Sequence, residues 1–355
     1  MQMTPRGSMA RWLPMAALSL CVAGLPALGA DVAEVVVQDG SELTPDDVAA
    51  FGRRDGLKKL QIYNCRTLDD AAVEGLAGLK GLDTLAITNS GISDAAVATI
   101  AASFPDLVDL DLSSNTNLTG AALKSIAGLA KLERLNLMQC RFNDIHTRRL
   151  AKLGELRSLD LRGNMEAGDL TLDVAGKLPH LAAFKHRSST VTDEGMKNLA
   201  ASTTLESLLI QDFAITNASG PELARLGKLA SLEIFRCQGF GTEGVLALAG
   251  LPLTRLTLRD LPDVGDPALA VLEKLPTLRR LYLHELASVG DEGLARLAAA
   301  RELQVLDVWA LPKMTDATVE VIAGLGTLQE LSIRETGVTE KSLERLAALP
   351  RLESL

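Results

Sequence analysis

The sequence predicts an α/β solenoid, a curved horseshoe of strand–helix units with a parallel sheet on its concave face and helices on its convex face. Three observations carry this reading. The pattern L-x-x-L-x-L recurs with its first residues 24 or 25 apart. Between the copies a Ser-Asp, Thr-Asp or Gly-Asp pair recurs, followed by apolar residues at three- and four-residue spacing. The 355-residue chain is 47% hydrophobic but only 3% aromatic, so its interior has to be built from aliphatic side chains, not from the large rings that dominate many cores.

The first thirty residues stand apart from the repeats. Arg6 and Arg11 precede an apolar run from Trp12 to Leu28, and Ala27, Gly29 and Ala30 lie where a signal peptidase could cut. This is the layout of a signal peptide over residues 1–30. Pro14 and Pro26 leave the run too short and too punctuated for a comfortable membrane span. Cys21 invites a lipoprotein reading, but Leu20 is a poor residue before a modified cysteine. A secreted or periplasmic chain with no membrane span after cleavage is therefore expected. Removing Arg6 and Arg11, with no acids, takes the formal charge from −9 to −11. Such acidity argues against a nucleic-acid partner, whose phosphates call for a basic stripe.

From there the repeats run in order. Full copies begin at Leu57-Leu60-Ile62 and Leu82-Leu85-Ile87 and continue without a break to Leu303-Leu306-Val308 and Leu328-Leu331-Ile333. A degenerate copy, Val32-Val35-Val37, precedes them, and Leu352 with Leu355 forms a last half-copy. Residues 31–355 thus read as a single domain of about 13 repeats, the last one truncated. Positions 1, 4 and 6 of each motif point inward, because side chains alternate along a strand. Ser93-Asp94, Thr192-Asp193, Gly290-Asp291 and Thr315-Asp316 are helix starts, where side-chain oxygens can accept from the free N–H groups of a first turn. Val97, Ile100, Ala101 and Phe104 then follow at helical spacing. Residues 163–180 lack the Thr-Asp start and carry Gly168, Gly176 and Pro179, which reads as an irregular unit. The stop at Leu355, without a polar cap, would expose an apolar end and a sheet edge. A fragment, or an end covered by a partner or a second copy in end-to-end self-association, are the readings it leaves.

These motifs resemble the leucine-rich-repeat superfamily. The [VIL]-[TSG]-D-x-x-[VLM]-x-x-[LI]-A segment looks most like the bacterial strand–helix class with repeats of this length, similar to the cysteine-containing, F-box-associated repeats. The resemblance covers residues 32–355. It implies the horseshoe fold and a role in binding, but names no partner, because the superfamily serves many.

Cys65, Cys140 and Cys237 each lie eight residues after the first Leu of their repeats, a place taken by Asn115 and Asn164 elsewhere. Strands stack about 4.8 Å apart, so neighbouring cysteines lie roughly 14–19 Å apart, beyond disulfide reach. They read as buried ladder residues that satisfy backbone groups. His186 takes an inward position and reads as a hydrogen-bonded core substitution; His146 and His180 read as surface or loop residues. No G-x-S-x-G, phosphate loop, H-E-x-x-H or paired Cys-x-x-Cys motif occurs, so no catalytic residue, metal ligand or cofactor is assigned.

Positions 3, 5 and 7 point out of the concave sheet and form three columns. In repeats eight to eleven, position 7 is Phe235, Arg259, His284 and Trp309. Position 5 is Glu233, Thr257, Tyr282 and Asp307, and position 3 is Ser231, Arg255, Arg280 and Val305. Outside the leader, Trp309 and the two tyrosines, Tyr63 and Tyr282, all fall in these columns. Trp, Tyr and Arg dominate binding hot spots, so a partner-binding surface is expected at Tyr282, His284 and Trp309, flanked by Phe235, Arg255, Arg259 and Arg280. The competing reading has the arginines stacking on the rings and shielding them. Arg162, Lys185 and Arg187 suggest a basic middle beside an acidic zone at Asp109 and Asp111.

The leading functional expectation is a non-catalytic protein-interaction scaffold or receptor, with carbohydrate or cell-wall polymer binding by Trp309 and Tyr282 as the alternative. An enzyme would need His284 with Asp307 or Glu285, and the sequence supplies neither a nucleophile nor a third ligand.

Overall fold

The computed structural model describes residues 18–19, 33–346 and 349–355. Within them one parallel sheet runs in chain order through β1 (Leu18–Ser19), β2 (Glu34–Val37), β3 (Lys59–Ile62), β4 (Thr84–Ile87), β5 (Asp109–Asp111), β6 (Arg134–Asn136), β7 (Ser158–Arg162), β8 (Ala183–Arg187), β9 (Ser207–Gln211), β10 (Ser231–Phe235), β11 (Arg255–Arg259), β12 (Arg280–His284), β13 (Val305–Trp309) and β14 (Glu330–Arg334). Leu18–Ser19 pairs with Val35–Val36; the rest of the expected leader lies outside the described residues. No helix among the described residues is long and apolar enough to cross a membrane.

The sheet register follows the motif. Leu256, Leu281, Leu306 and Leu331 are successive partners across β11 to β14, and the inward residues at positions 4 and 6 are almost entirely buried. The core is one continuous apolar column between sheet and helices, mostly aliphatic but with Phe51, Phe104, Phe142, Phe184, Phe213 and Phe240 buried in it. Element pairs that pack together belong to the same or adjacent repeats, as in any solenoid.

Eleven of the strands, β8 and β2 not among them, leave through a left-handed residue at position 8. Asn64, Asn89, Ser114, Gln139, Asp212, Arg236, Asp260, Glu285, Ala310 and Glu335 have φ between 48° and 64°, and Gly163 has φ 80°. The turn ends the strand and sends the chain toward the core, and position 9 is buried in most repeats. There Asn115 Nδ2 donates to the carbonyls of Ile87 and Leu112 at 2.7 and 2.9 Å, and Asn164 Nδ2 to those of Leu137 and Leu161 at 2.9 Å each. Cys140 Sγ points at Leu112 O from 3.1 Å. The three cysteines are free and buried, and burial pushes the Cys140 and Cys237 thiols up to about 12. They fill the ladder, as their spacing implies.

The convex elements are short and mixed. Asp94–Ser103 and Asp169–Lys177 are α-helical, whereas Asp266–Lys274 is a 3-10 helix that opens on Pro267. Residues 163–180 are not irregular: Asp169–Lys177 is one of the longer helices. Gly168 offers no side-chain cap, but Asp144 of the preceding repeat does. Its Oδ1 accepts from Gly168 N at 2.8 Å, Thr171 N at 2.9 Å and the Thr171 hydroxyl at 2.7 Å.

That arrangement is general. The Thr or Ser at a helix start caps its own helix, as Thr192 does by accepting from Glu194 N. The Asp after it reaches forward to the next repeat. Asp169 accepts from Thr192 N and its hydroxyl at 2.8 and 2.7 Å, Asp193 from Thr216 at 2.9 and 2.7 Å, and Asp291 from Thr315 at 2.9 and 2.6 Å. Where the helix begins on glycine, the neighbour supplies the cap: Asn217 for Gly241, Thr242 for Gly265 and Asp266 for Gly290. Glycines make room for this. A Cβ on Gly195 would come within 2.3 Å of Asp169 Oδ1, and one on Gly293 within 2.6 Å of Asp266 Oδ1. Burial raises the pKa of Asp193 and Asp291, but the hydrogen bonds they accept outweigh it and leave both below the usual carboxylate value.

His186 is a core residue. Its Nδ1 lies 3.1 Å from Leu161 O and its Nε2 2.7 Å from Ala167 O, with the ring between Phe184 and Phe213. A neutral imidazole has one N–H for these two carbonyls. Protonation would serve both, but burial dominates and holds the pKa below its ordinary value. His146 departs from the expected surface position: it is half-buried in a short helix, edge-on to Phe142 at 6.1 Å.

Two predictions follow the core and the caps. Asp144→Ala leaves Gly168 N without its acceptor and takes one partner each from Thr171 N and the Thr171 hydroxyl, which retain Gly168 O and Thr147 Oγ1. It is expected to cost about 2 kcal/mol in urea denaturation. Asp173→Ala, which breaks an exposed pair with Lys177, should stay within about 0.5 kcal/mol. For His186, the unfolded chain takes up a proton below about pH 6.5 that the folded chain resists. Stability is therefore lost as pH falls through that value, and His186→Leu should flatten the dependence of the urea midpoint between about pH 7 and 5. An unchanged slope would place the titration elsewhere.

Candidate functional site

Leu256, Leu258, Leu281, Leu283, Leu306 and Val308 point into the core with 0% exposure, so their strand neighbours face outward. The register sets Thr257, Tyr282, Asp307 and Ser332 in one row and Arg259, His284, Trp309 and Arg334 in the next. His284 sits at the crossing. It is edge-on to Tyr282 with centroids 6.2 Å apart and to Trp309 at 5.8 Å.

The arginines stack on the rings. The Arg255 guanidinium carbon lies 4.8 Å from the Tyr282 centroid. Trp309 carries Arg259 at 5.0 Å and Arg334 at 5.9 Å. The stacking that the sequence held open as an alternative is therefore present, and the rings are half-buried. Acids hold the guanidinium groups. Arg259 Nε donates to Glu285 at 2.7 Å, Arg334 Nη2 to Asp307 at 3.2 Å, and Arg255 lies 3.5 Å from Glu233. Of the expected residues, Arg255, Arg259, Tyr282, His284 and Trp309 form one contacting group. Arg280 is exposed beside Arg255, and Phe235 borders Arg259 by register; neither has a ring contact within the group. Arg334 was not expected from the sequence. Its signal was its place in the position-7 column, one repeat beyond the four compared.

Electrostatics inside the group are unusual. His284 Nε2 approaches Asp307 Oδ2 at 3.3 Å, with side chains 14% and 19% exposed, but the direction is poor and Nε2 has no hydrogen-bond partner. Burial lowers the His284 pKa most, Asp307 opposes this, and Arg259 and Arg334 add to the lowering. Arg255 Nε and Thr257 Oγ1 are also buried without a partner. Among the described residues, these three are the buried side-chain polar atoms left unsatisfied, and all lie on β11 and β12. No group of His, Cys, Asp and Glu among the described residues is placed to hold a metal ion.

The expected basic middle is weaker than its residue types suggest. Arg162 pairs with Asp160 at 2.6 Å and Arg187 with Asp212 at 2.5 Å, which Arg236 shares at 2.6 Å. Lys185 has no such ion pair among the described residues. Asp109, in turn, is paired with Arg134 at 2.8 Å, and Asp111 accepts from Asn136 at 2.9 Å.

A leucine-rich-repeat family model matches residues 105–165. A search of curated proteins finds no match. Solved structures with a similar fold include an internalin (inlF) from Listeria monocytogenes, at 19% identity and TM-score 0.58, covering 88% of this chain and 82% of that one. A chain of the Rad7 and Elc1 complex from yeast aligns at 19% identity and TM-score 0.61, over 84% and 80%. A chain of the TLR13–ssRNA13 complex aligns at 19% and 0.57, over 87% of this chain and 50% of that one. The unbroken register of one strand and one short helical element per 24–25 residues, the Asn/Cys ladder and these matches agree: the chain folds as a leucine-rich-repeat solenoid.

Proposed function

We propose that this chain is a non-catalytic protein-interaction scaffold or receptor of an extracytoplasmic compartment, which binds its partner on the concave face around Tyr282, His284 and Trp309. The observation that carries the reading is the clustering of unsatisfied polar atoms. Buried polar groups are normally hydrogen-bonded, and here the exceptions, Arg255 Nε, Thr257 Oγ1 and His284 Nε2, share one patch with the chain's stacked aromatics. Arg255, Arg259 and Arg280 flank the patch and Phe235 borders it. Pre-stacked arginines lose less freedom on binding, which favours affinity.

The fold supports a binding role through its many known uses as a recognition surface, and two of the similar structures are titled as complexes, one with Elc1 and one with ssRNA13. The layout of residues 1–30 supports export. Carbohydrate stacking is disfavoured, because Arg259 and Arg334 already lie over the Trp309 ring that a sugar would need.

The test is a pull-down from the native envelope or secreted fraction with wild-type protein and with a Tyr282→Ala, Trp309→Ala double variant that melts normally. The expected result is one dominant protein retained by the wild type and lost, by at least ten-fold, by the variant. Equal retention would move the binding surface away from β12 and β13.

A further inference from the structure

The starts of β10 to β13 carry Ala230-Ser231, Thr254-Arg255, Arg279-Arg280 and Gln304-Val305. That is three arginines and no acid, on a chain of formal charge −9. Arg255 and Arg280 are register partners on adjacent strands, an arrangement in which like charges repel. Elsewhere on this face Arg162, Arg187, Arg236, Arg259 and Arg334 each meet a carboxylate within 3.2 Å. At the starts of β11 and β12 the pairing fails. Arg279 and Arg280 are exposed with no such ion pair among the described residues, and Arg255 has Glu233 at 3.5 Å while its Nε is buried without an acceptor.

The arrangement suits an incoming carboxylate. The Arg255 guanidinium carbon lies 4.8 Å from the Tyr282 ring centroid, a contact that holds the side chain in place and limits its hydration. A guanidinium so held can grip a carboxylate by two parallel bonds. The neighbouring strand-start positions, Ser231, Thr254, Gln304 and Val305, are neutral, so Glu233, 3.5 Å from Arg255, is the carboxylate an incoming one competes with there.

Resting on the concave-face reading above, we propose that this corner receives an acidic peptide segment of the partner, with its carboxylates held by Arg255, Arg279 and Arg280 while Tyr282 and Trp309 pack against the adjoining side chains. The acidity of the chain as a whole repels a uniformly acidic body. Attraction at this corner acts over about a Debye length, roughly 8 Å at physiological salt. An acidic segment within an otherwise neutral or basic partner therefore fits better than an acidic domain.

The experiment is isothermal titration calorimetry of the protein with hexaglutamate, hexalysine and inorganic phosphate, followed in parallel by Trp309 emission. Hexaglutamate is expected to bind and to shift that emission, hexalysine to give no heat, and phosphate to bind at least ten-fold more weakly than the peptide. An Arg279→Glu, Arg280→Glu variant, changed only at exposed positions, should keep the wild-type melting temperature and lose at least ten-fold in hexaglutamate affinity. No hexaglutamate binding, equal binding by the variant, or phosphate binding as tight as the peptide would each overturn the assignment. A captured partner that survives the Arg279→Glu, Arg280→Glu change but is lost with Tyr282→Ala, Trp309→Ala would overturn the acidic-segment assignment alone and leave the concave-face reading standing.

Discussion

Most repeats depend on a polar side chain supplied by the one before. A helix start leaves backbone N–H groups without intrahelical acceptors, and in so short a unit these make up a large share of its backbone. The chain's own Thr or Ser satisfies one of them. The Asp, Asn or Thr of the preceding repeat satisfies another and commonly ties down a hydroxyl as well. Sheet pairing and aliphatic burial hold the strands in register, but these bridges hold the convex side at the same spacing. Without them the strands would still stack, while the short helical elements, several of them one or two turns long, would have little to order them.

With the scaffold set by positions 1, 4, 6 and 9 and by the caps, positions 3, 5 and 7 are free to carry other chemistry. Most of the sheet face uses that freedom conservatively, pairing each arginine with a nearby acid. The face of β11 to β13 departs from this. It gathers rings, guanidinium groups and a low-pKa histidine, and it leaves three buried polar atoms without partners. Such a patch is less well satisfied than the rest of the fold, which is the physical basis for reading it as a recognition surface.

The fold was legible because aliphatic positions recur at a constant interval, and the core follows from strand alternation alone. The Asn/Cys ladder was legible too, since its members share one offset from the first Leu. Other features were hidden by distance along the chain. The aspartates of the helix starts look like caps for their own helices, but they serve donors 23 to 28 residues away. That is why residues 163–180 read as irregular: the cap for Gly168 sits on Asp144. Reading residue types without partners likewise made Arg162 and Arg187 into a basic zone that Asp160 and Asp212 largely neutralise. The columns placed Tyr282, His284 and Trp309 side by side, as the ring contacts have them. The stacking of Arg255 and Arg259 was open as an alternative, and the role of Arg334 lay outside the four repeats compared.

The forward direction of the caps gives the solenoid a polarity that its sheet lacks. Breaking the array between two repeats injures the two fragments differently. Both fragments expose an apolar face and a sheet edge, but the fragment on the N-terminal side keeps every cap and leaves over only a polar side chain, which water solvates readily. The fragment on the C-terminal side begins with a helix whose amides have lost their acceptor, most severely at Gly168, Gly241, Gly265 and Gly290, which have no side-chain cap of their own. Fraying should therefore advance from a cut toward the C-terminus more readily than back from it, so that the half of the molecule bearing Tyr282 and Trp309 is the half that relies on an intact upstream neighbour.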